Sequence, residues 1–301
     1  EKSYIKENRI VASIAFLISF VIYIMTMAPT TSFWDCGEFI ATSIILGVPH
    51  PPGTPFFLLL GNFFSQLPTY FDPGARVNLI SPIFSALAVM FLYLIIVQLI
   101  EKWRGEVKNG PDCLIIYGSA IIGAATFAVT DSHWFNAVEA EVYSLSTFFT
   151  SIVVWLILKW STNSGHAGNV RYILIIAYMF GLAIGIHLLN LLALPFIALI
   201  IYFNKYEFKI STFFATVVIT LITFVIIYLG IIKGIPNLAN SYGLSAPILI
   251  VLLVFVAMAY AVWKKHNQLS SILTCFVLIL IGFSTYTTIF IRATQHPNIN
   301  E

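Results

Sequence analysis

Long apolar runs recur along the whole chain and decide its fold class. A helix rises about 1.5 Å per residue, so about 20 apolar residues cross roughly 30 Å of hydrocarbon. Hydrophobic residues make up 59% of the chain and charged residues 9%, which leaves too few polar residues to cover a soluble domain. The sequence predicts an all-α polytopic membrane protein. Nine spanning helices are expected, near residues 10–28, 77–100, 113–130, 143–160, 172–188, 190–203, 211–232, 246–263 and 270–290.

The remaining composition excludes other classes. A net charge of +2 gives no reason to expect nucleic acid as a partner. Three scattered cysteines suggest neither a disulfide framework nor a zinc spacing. Residues 1–291 are expected to form the transmembrane domain, and the polar residues 292–301 the start of an extracytoplasmic tail or of a further domain.

The positive charges predict an orientation. With the N-terminus in the cytoplasm, only Arg76, Lys233 and Arg292 of the 15 Lys and Arg residues fall outside. Such a bias marks the cytoplasmic side, so the first long loop and the C-terminal tail should lie on the extracytoplasmic side of a bacterial inner membrane or an ER-type membrane. Within that loop, the apolar run 54–67 is too short to span, and we expect an interfacial or re-entrant helix after a turn at 47–55.

The first loop also carries two carboxylates, Asp35 and Glu38, in a chain with only 13 acidic residues. On a helix, residues three apart share a face, so the pair predicts a two-carboxylate site at the membrane surface. The alternative for Asp35 is a solvated carboxylate at a helix end.

Other polar residues predicted on the same side extend the candidate site. Glu139 and Glu141 are two apart, so only one of them would face a shared site on a helix, and the alternative is that at least one of them is merely solvated. His133 could instead be an ordinary interfacial residue and His187 a histidine hydrogen-bonded between helices, whereas His166 lies in a cytoplasmic loop and is expected to take no part. The proposed substrate-binding residues are His50, His133, Glu139, Glu141, Tyr143, His187 and Arg292.

These motifs resemble those of a known family. The order of features is similar to that of the GT-C superfamily of membrane glycosyltransferases. The strings 33–39 (FWDCGEF) and 47–55 (GVPHPPGTP) resemble more narrowly the protein O-mannosyltransferase-like family, in which an Asp-small-Gly-Glu motif precedes a His-Pro-Pro-Gly motif. Residues 139–143 (EAEVY) resemble a further stretch of that family. The resemblance implies a GT-C-like transmembrane domain and transfer of a sugar, mannose, from a polyprenyl-phosphate donor to Ser or Thr hydroxyls of exported proteins.

Such a transfer assigns roles to the candidate residues. A hydroxyl acceptor needs a base within about 2.6–3.2 Å, and Asp35 is the candidate general base. Glu38 could orient Asp35, bind the acceptor or hold a metal. The departing phosphate needs donors or cations, and the candidates are His50, His133, Arg292, His187 and Lys233. A divalent metal bound with Glu139 or Glu141 is possible, and a single displacement would invert the anomeric configuration.

Two other functions remain open from the sequence. A non-catalytic scaffold subunit of a membrane complex would keep the same architecture. A transporter is the second alternative, although no paired repeat with charged, unwound segments in mid-span is found.

Overall fold

The computed structural model describes residues 2–163, 165 and 168–301. The prediction for His166 lies outside these residues. The described residues form 15 α-helices, joined by two short 3₁₀ segments and one π-helical segment, Ile226–Gly234. The α-helices in chain order are α1 Lys2–Thr26, α2 Cys36–Ile45, α3 Pro55–Ser65, α4 Pro73–Asn78, α5 Ile80–Arg104, α6 Gly110–Ala128, α7 Asp131–Ala137, α8 Val142–Thr162, α9 Val170–Ile184, α10 Ala193–Lys205, α11 Ile210–Val225, α12 Ile235–Tyr242, α13 Ser245–Trp263, α14 Asn267–Phe283 and α15 Thr287–Ala293.

Within the described ranges, eight helical stretches are long and apolar enough to cross a membrane. They are Tyr4–Thr26, Pro73–Arg104, Gly110–Ala128, Val142–Thr162, Leu188–Lys205, Ile210–Tyr242, Ser245–Trp263 and Asn267–Ala293. Each overlaps one predicted span. The ninth predicted span, 172–188, corresponds to α9, which has only 15 residues. The predicted class, an all-α polytopic membrane protein, is confirmed.

Two shorter helices lie in the first long loop. The apolar run predicted as a short helix forms α3, whose 11 residues begin with Pro55, because proline fits the first helical position. Before it, α2 covers only ten residues, about 15 Å of helix. Neither helix can span a bilayer, and the expected place of α3 at the membrane interface stays a prediction.

The chain divides into two compact units. The first comprises Glu1–Trp155, Gly185–His187 and Tyr286–Glu301. Its core includes small and aromatic residues from α1, α5 and α6, such as Ala12, Tyr93 and Ala120. The predicted tail, residues 292–301, belongs to this unit.

The second unit comprises Leu156–Ile184 and Leu188–Thr285. Its closest helix pair is α9 with α14. A Cβ at Gly282 would lie 2.6 Å from the backbone nitrogen of Leu182, so glycine permits this approach.

A similar contact joins α2 to α3, the two helices of the first loop. A Cβ at Gly61 of α3 would overlap Oγ of Ser43 and lie 2.6 Å from its Cβ. We expect Gly61→Ala to lower the free energy of unfolding by about 1–3 kcal/mol, the usual cost of overpacking. Adding Ser43→Gly should restore part of this loss, because it removes the overlapping atoms.

Thermal unfolding in detergent measures both effects. Gly118→Ala on α6 is the matched control, since a Cβ there would meet nothing within 4 Å and alanine favours a helix. Equal melting temperatures for Gly61→Ala and Gly118→Ala would contradict the prediction.

Candidate active site

Asp35 lies at the start of α2, and its side chain does not cap the helix. It is the N-cap residue, yet its carboxylate makes no capping hydrogen bond and it is exposed. The preceding residue, Trp34, has a φ of +55°, a left-handed conformation that is uncommon outside glycine and is often retained at functional sites. The carboxylate is therefore free to meet a substrate.

Glu38, one turn into α2, holds His50. Its Oε2 lies 2.7 Å from Nδ1 of His50, and its Oε1 accepts the backbone N–H of His50 at 2.8 Å. The hydrogen bond to Glu38 raises the pKa of His50, and the negative charges of Glu38, Asp35 and Glu301 add to the rise, while burial opposes it. His50 thus keeps a positive charge to a higher pH than an ordinary histidine.

Glu139 and Glu141 lie between α7 and α8, in a stretch that is not helical. The spacing argument that only one could face a site therefore does not apply. Their exposed fractions are 1% and 4%, so solvation is the wrong interpretation for both. Burial holds a carboxyl group in its neutral form unless partners compensate.

The surroundings of the two glutamates differ. Burial raises the pKa of Glu141 to about 7, and the charges of Asp35 and Glu139 add to this, while the Val142 N–H and His50 oppose it. Burial also raises the pKa of Glu139, while the nearby Ser32 hydroxyl and Phe33 N–H act to lower it. Neither oxygen of Glu139 has a hydrogen-bond partner of good geometry. The charges of Asp35 and His50 both act on Glu141, which indicates that the three side chains are near one another.

The three residues of the first loop could also hold a metal. One ligand atom each from Asp35, Glu38 and His50 lies within 4.8 Å of the others. Two carboxylates and an imidazole suit a divalent ion such as Mn²⁺. Binding would require the Glu38–His50 hydrogen bond to rearrange.

Asn78, at the end of α4, is a residue that sequence reasoning missed. It is completely buried, and its amide nitrogen donates to the carbonyls of Ala28 and Thr30 at 2.9 and 2.8 Å. Its oxygen accepts the Ala140 N–H at 2.9 Å and the Cys36 thiol at 3.7 Å. The only signal in the sequence was an asparagine within an apolar stretch.

Arg292 lies at the C-terminal end of α2. Its Nε and Nη2 donate to the carbonyls of Leu46 and Ile45 at 2.7 and 3.0 Å, a favourable place for a cation. The tail then returns to the turn after α2, where the Val48 N–H donates to the Ile299 carbonyl at 2.9 Å. A Cβ at Gly47 would lie 3.0 Å from that carbonyl oxygen. The guanidinium group of Arg292 thus hydrogen-bonds the backbone at the end of α2, where the turn that leads to His50 begins.

The other predicted residues lie elsewhere in the same unit. The His133 ring packs against Phe127 and Tyr23, with ring centroids 4.2 and 5.9 Å away. Burial lowers the pKa of His133 to about 4, against a hydrogen bond with the Ser85 backbone, so the ring is neutral near pH 7. The rings of Tyr143 and His187 lie 5.2 Å apart, and Tyr143 is 45% exposed. The structure thus groups Asp35, Glu38, His50 and Glu141, and it surrounds His133 with aromatic residues.

Comparison with known proteins agrees with the motifs. A family model described as the N-terminal domain of protein O-mannosyl-transferase TMEM260 matches residues 35–211. A Dictyostelium discoideum protein named protein O-mannosyl-transferase tmem260 is 28% identical over 207 residues, which are 64% of this chain and 23% of that protein. The Mus musculus protein named protein O-mannosyl-transferase TMEM260 is 26% identical over 163 residues, or 54% of this chain and 21% of its own length.

The chain therefore spans less than a quarter of the length of these curated relatives. No solved structure matches it. The matched region begins at Asp35, contains the acidic group of Asp35, Glu38, Glu139 and Glu141, and covers more than half of the chain. The resemblance predicted from the two motifs is confirmed, and the chain belongs to the family of the TMEM260 N-terminal domain.

Proposed function

We propose that this chain is the membrane part of a protein O-mannosyltransferase. It moves mannose from a polyprenyl-phosphate donor to Ser or Thr hydroxyls of exported proteins. The observation that carries the proposal is the exposed Asp35 carboxylate, which is free of the helix cap and lies beside a histidine bonded to Glu38. The names of the two relatives support the mannose and the protein acceptor.

Asp35 acts as the general base in this reaction. An acceptor hydroxyl within about 2.6–3.2 Å of its carboxylate gives up its proton as the oxygen attacks the anomeric carbon. The bond from that carbon to the donor phosphate breaks, and the phosphate leaves with the electron pair. Attack from the face opposite the phosphate inverts the anomeric configuration.

His50 contacts the phosphate as it leaves. A cationic imidazole stabilises the negative charge that develops there, and the bonds from Glu38 fix the ring while leaving Nε2 free of that pair. His133 is too buried to carry a charge, and Arg292 is committed to backbone carbonyls. His50 is therefore the phosphate contact, and Glu38 its positioning residue. A bound divalent metal, held by Asp35, Glu38 and His50, would supply further positive charge.

The lipid part of the donor needs an apolar surface. A cleft of about 400 Å³ opens at the end of α1, lined by Ile24, Met27, Tyr70 and other mainly apolar residues. Its wall includes Pro29, whose neighbours Ala28 and Thr30 are held by Asn78. We assign the lipid to this cleft, and the site to the extracytoplasmic side with the N-terminus in the cytoplasm.

Transfer from a labelled donor tests the function. Proteoliposomes of the purified protein receive radiolabelled mannosyl-phosphoryl-polyprenol or GDP-mannose, together with a Ser/Thr-rich acceptor protein. Label should appear on the acceptor with the lipid donor alone. Label on a lipid-linked glycan would contradict the proposal that the acceptor is a protein. Label transferred from GDP-mannose would contradict the proposal that the donor is a polyprenyl phosphate. Folded protein that transfers no mannose would favour a non-catalytic scaffold subunit.

The pH profile tests the role of Glu38. Glu38→Gln removes the charge that raises the pKa of His50, so His50 should lose its proton at a lower pH. If charged His50 contacts the phosphate, the alkaline limb of kcat/KM should move to lower pH. His50→Ala serves as the control, because this limb should be missing from its profile. If the alkaline limb of Glu38→Gln does not move, Glu38 does not set the charge of a His50 that contacts the phosphate.

A further inference from the structure

One buried side chain links the segments that carry the acidic residues. Asn78 lies at the end of α4, and all its partners belong to other parts of the chain, 42 to 62 residues away. A side-chain amide has two N–H donors and an oxygen with two lone pairs. The four contacts use this whole capacity, so Asn78 has no hydrogen-bonding group left over.

Each contact fixes a part of the site. The carbonyls of Ala28 and Thr30 belong to the segment that leads from α1 to Asp35. The thiol of Cys36 belongs to the residue next to Asp35. The fourth partner, the N–H of Ala140, belongs to the residue between Glu139 and Glu141.

The oxygen of Asn78 is shared by two of these contacts. It accepts both from Cys36 and from Ala140, and therefore joins the start of α2 directly to the loop of the two glutamates. The charges of Glu139 and Glu141 both act on the Cys36 thiol, which agrees with a close approach of the two segments. Satisfying buried backbone groups would explain each of the three backbone bonds alone, but not why these bonds and the Cys36 thiol meet at one side chain between Asp35 and the two glutamates.

We propose that Asn78 is a positioning residue for the transfer reaction, which holds Glu139 and Glu141 against the turn that presents Asp35. This proposal rests on the proposed function for its reaction. Asn78 touches no substrate itself. Its loss should therefore lower kcat while leaving the KM for donor and acceptor nearly unchanged.

Asn78→Leu keeps the branched shape of the side chain and removes all four bonds, whereas Asn78→Asp keeps the acceptor for Ala140. Asn190→Leu is the matched control, since Asn190 is 2% exposed and donates to the Ala183 carbonyl at 3.0 Å in the other unit. We expect kcat to fall at least tenfold in Asn78→Leu and less in Asn78→Asp, with each KM within about twofold. Asn190→Leu should lower the melting temperature without this loss of kcat per folded molecule.

A second readout does not depend on activity. In a Cys113→Ser, Cys275→Ser background, Cys36 is the single thiol of the chain, and it is completely buried. Maleimide should label it faster in Asn78→Leu than with Asn78 present, and at an unchanged rate in Asn190→Leu. If the unsubstituted protein transfers no mannose, the proposed function is wrong. Faster labelling in Asn78→Leu would then still show that Asn78 holds the segment of Cys36 in place. Unchanged labelling, or a kcat loss no larger than in Asn190→Leu, would overturn the proposal.

Discussion

Asp35→Asn should lower kcat for mannosyl transfer by about 10²–10⁴-fold, the usual contribution of a general base. Asparagine has nearly the same shape but cannot take the acceptor proton. The folded protein should be unaffected, because Asp35 is exposed and its side chain caps no helix. The yield and the melting temperature should match those of the unsubstituted protein.

The matched control is Asp131→Asn. Asp131 is also exposed and also lies at the start of a short helix, α7, and it is not one of the proposed site residues. Initial rates at saturating donor and acceptor measure both variants. Undiminished transfer by Asp35→Asn would show that Asp35 is not the general base. An equal loss of kcat in Asp131→Asn would show that losing a negative charge at a helix end is enough to slow transfer.

Glu141→Gln should stabilise the protein at alkaline pH. The pKa of Glu141 rises from 4.5 to about 7 in the folded protein, so the folded state keeps a proton that the unfolded state loses. The stabilising contribution is fully present below about pH 4.5 and is lost as pH rises through about 7. The lost free energy of unfolding amounts to about 3 kcal/mol, because each pKa unit corresponds to about 1.36 kcal/mol. Glutamine stays neutral and avoids this loss.

Melting temperatures in detergent between pH 4.5 and 8 measure the effect. The unsubstituted protein should lose stability across this range more steeply than Glu141→Gln. Glu106→Gln is the control, because Glu106 is exposed between α5 and α6, and its profile should follow that of the unsubstituted protein. Parallel profiles for Glu141→Gln and Glu106→Gln would show that Glu141 is not held neutral in the folded protein.

The spans could be predicted because lipid imposes a simple rule. Backbone groups in hydrocarbon must be hydrogen-bonded internally, so a sufficiently long apolar run has to be a helix. Segment 172–188 fits this rule least well, since two glycines and a histidine interrupt it and α9 ends at Ile184. The short helix α3 followed from the proline and the apolar run after the turn.

The contacts within the candidate site could be predicted only where its residues are close in sequence. Asp35 and Glu38 share one turn, and His50 follows within the same loop. The burial of both Glu139 and Glu141 could not be predicted, because their spacing is informative only on a helix and their segment is not helical. The contacts of Asn78 join residues 42 to 62 positions apart, and those of Arg292 reach back to Ile45 and Leu46. Hydrophobic periodicity has no signal for such pairs.

The most direct measurement is a structure of the protein with a non-hydrolysable mannosyl-phosphoryl-polyprenol analogue and an acceptor peptide. The account predicts the acceptor hydroxyl within about 2.6–3.2 Å of the Asp35 carboxylate, with His50 at the phosphate. A sugar bound away from α2, or an acceptor hydroxyl beside another base, would contradict it.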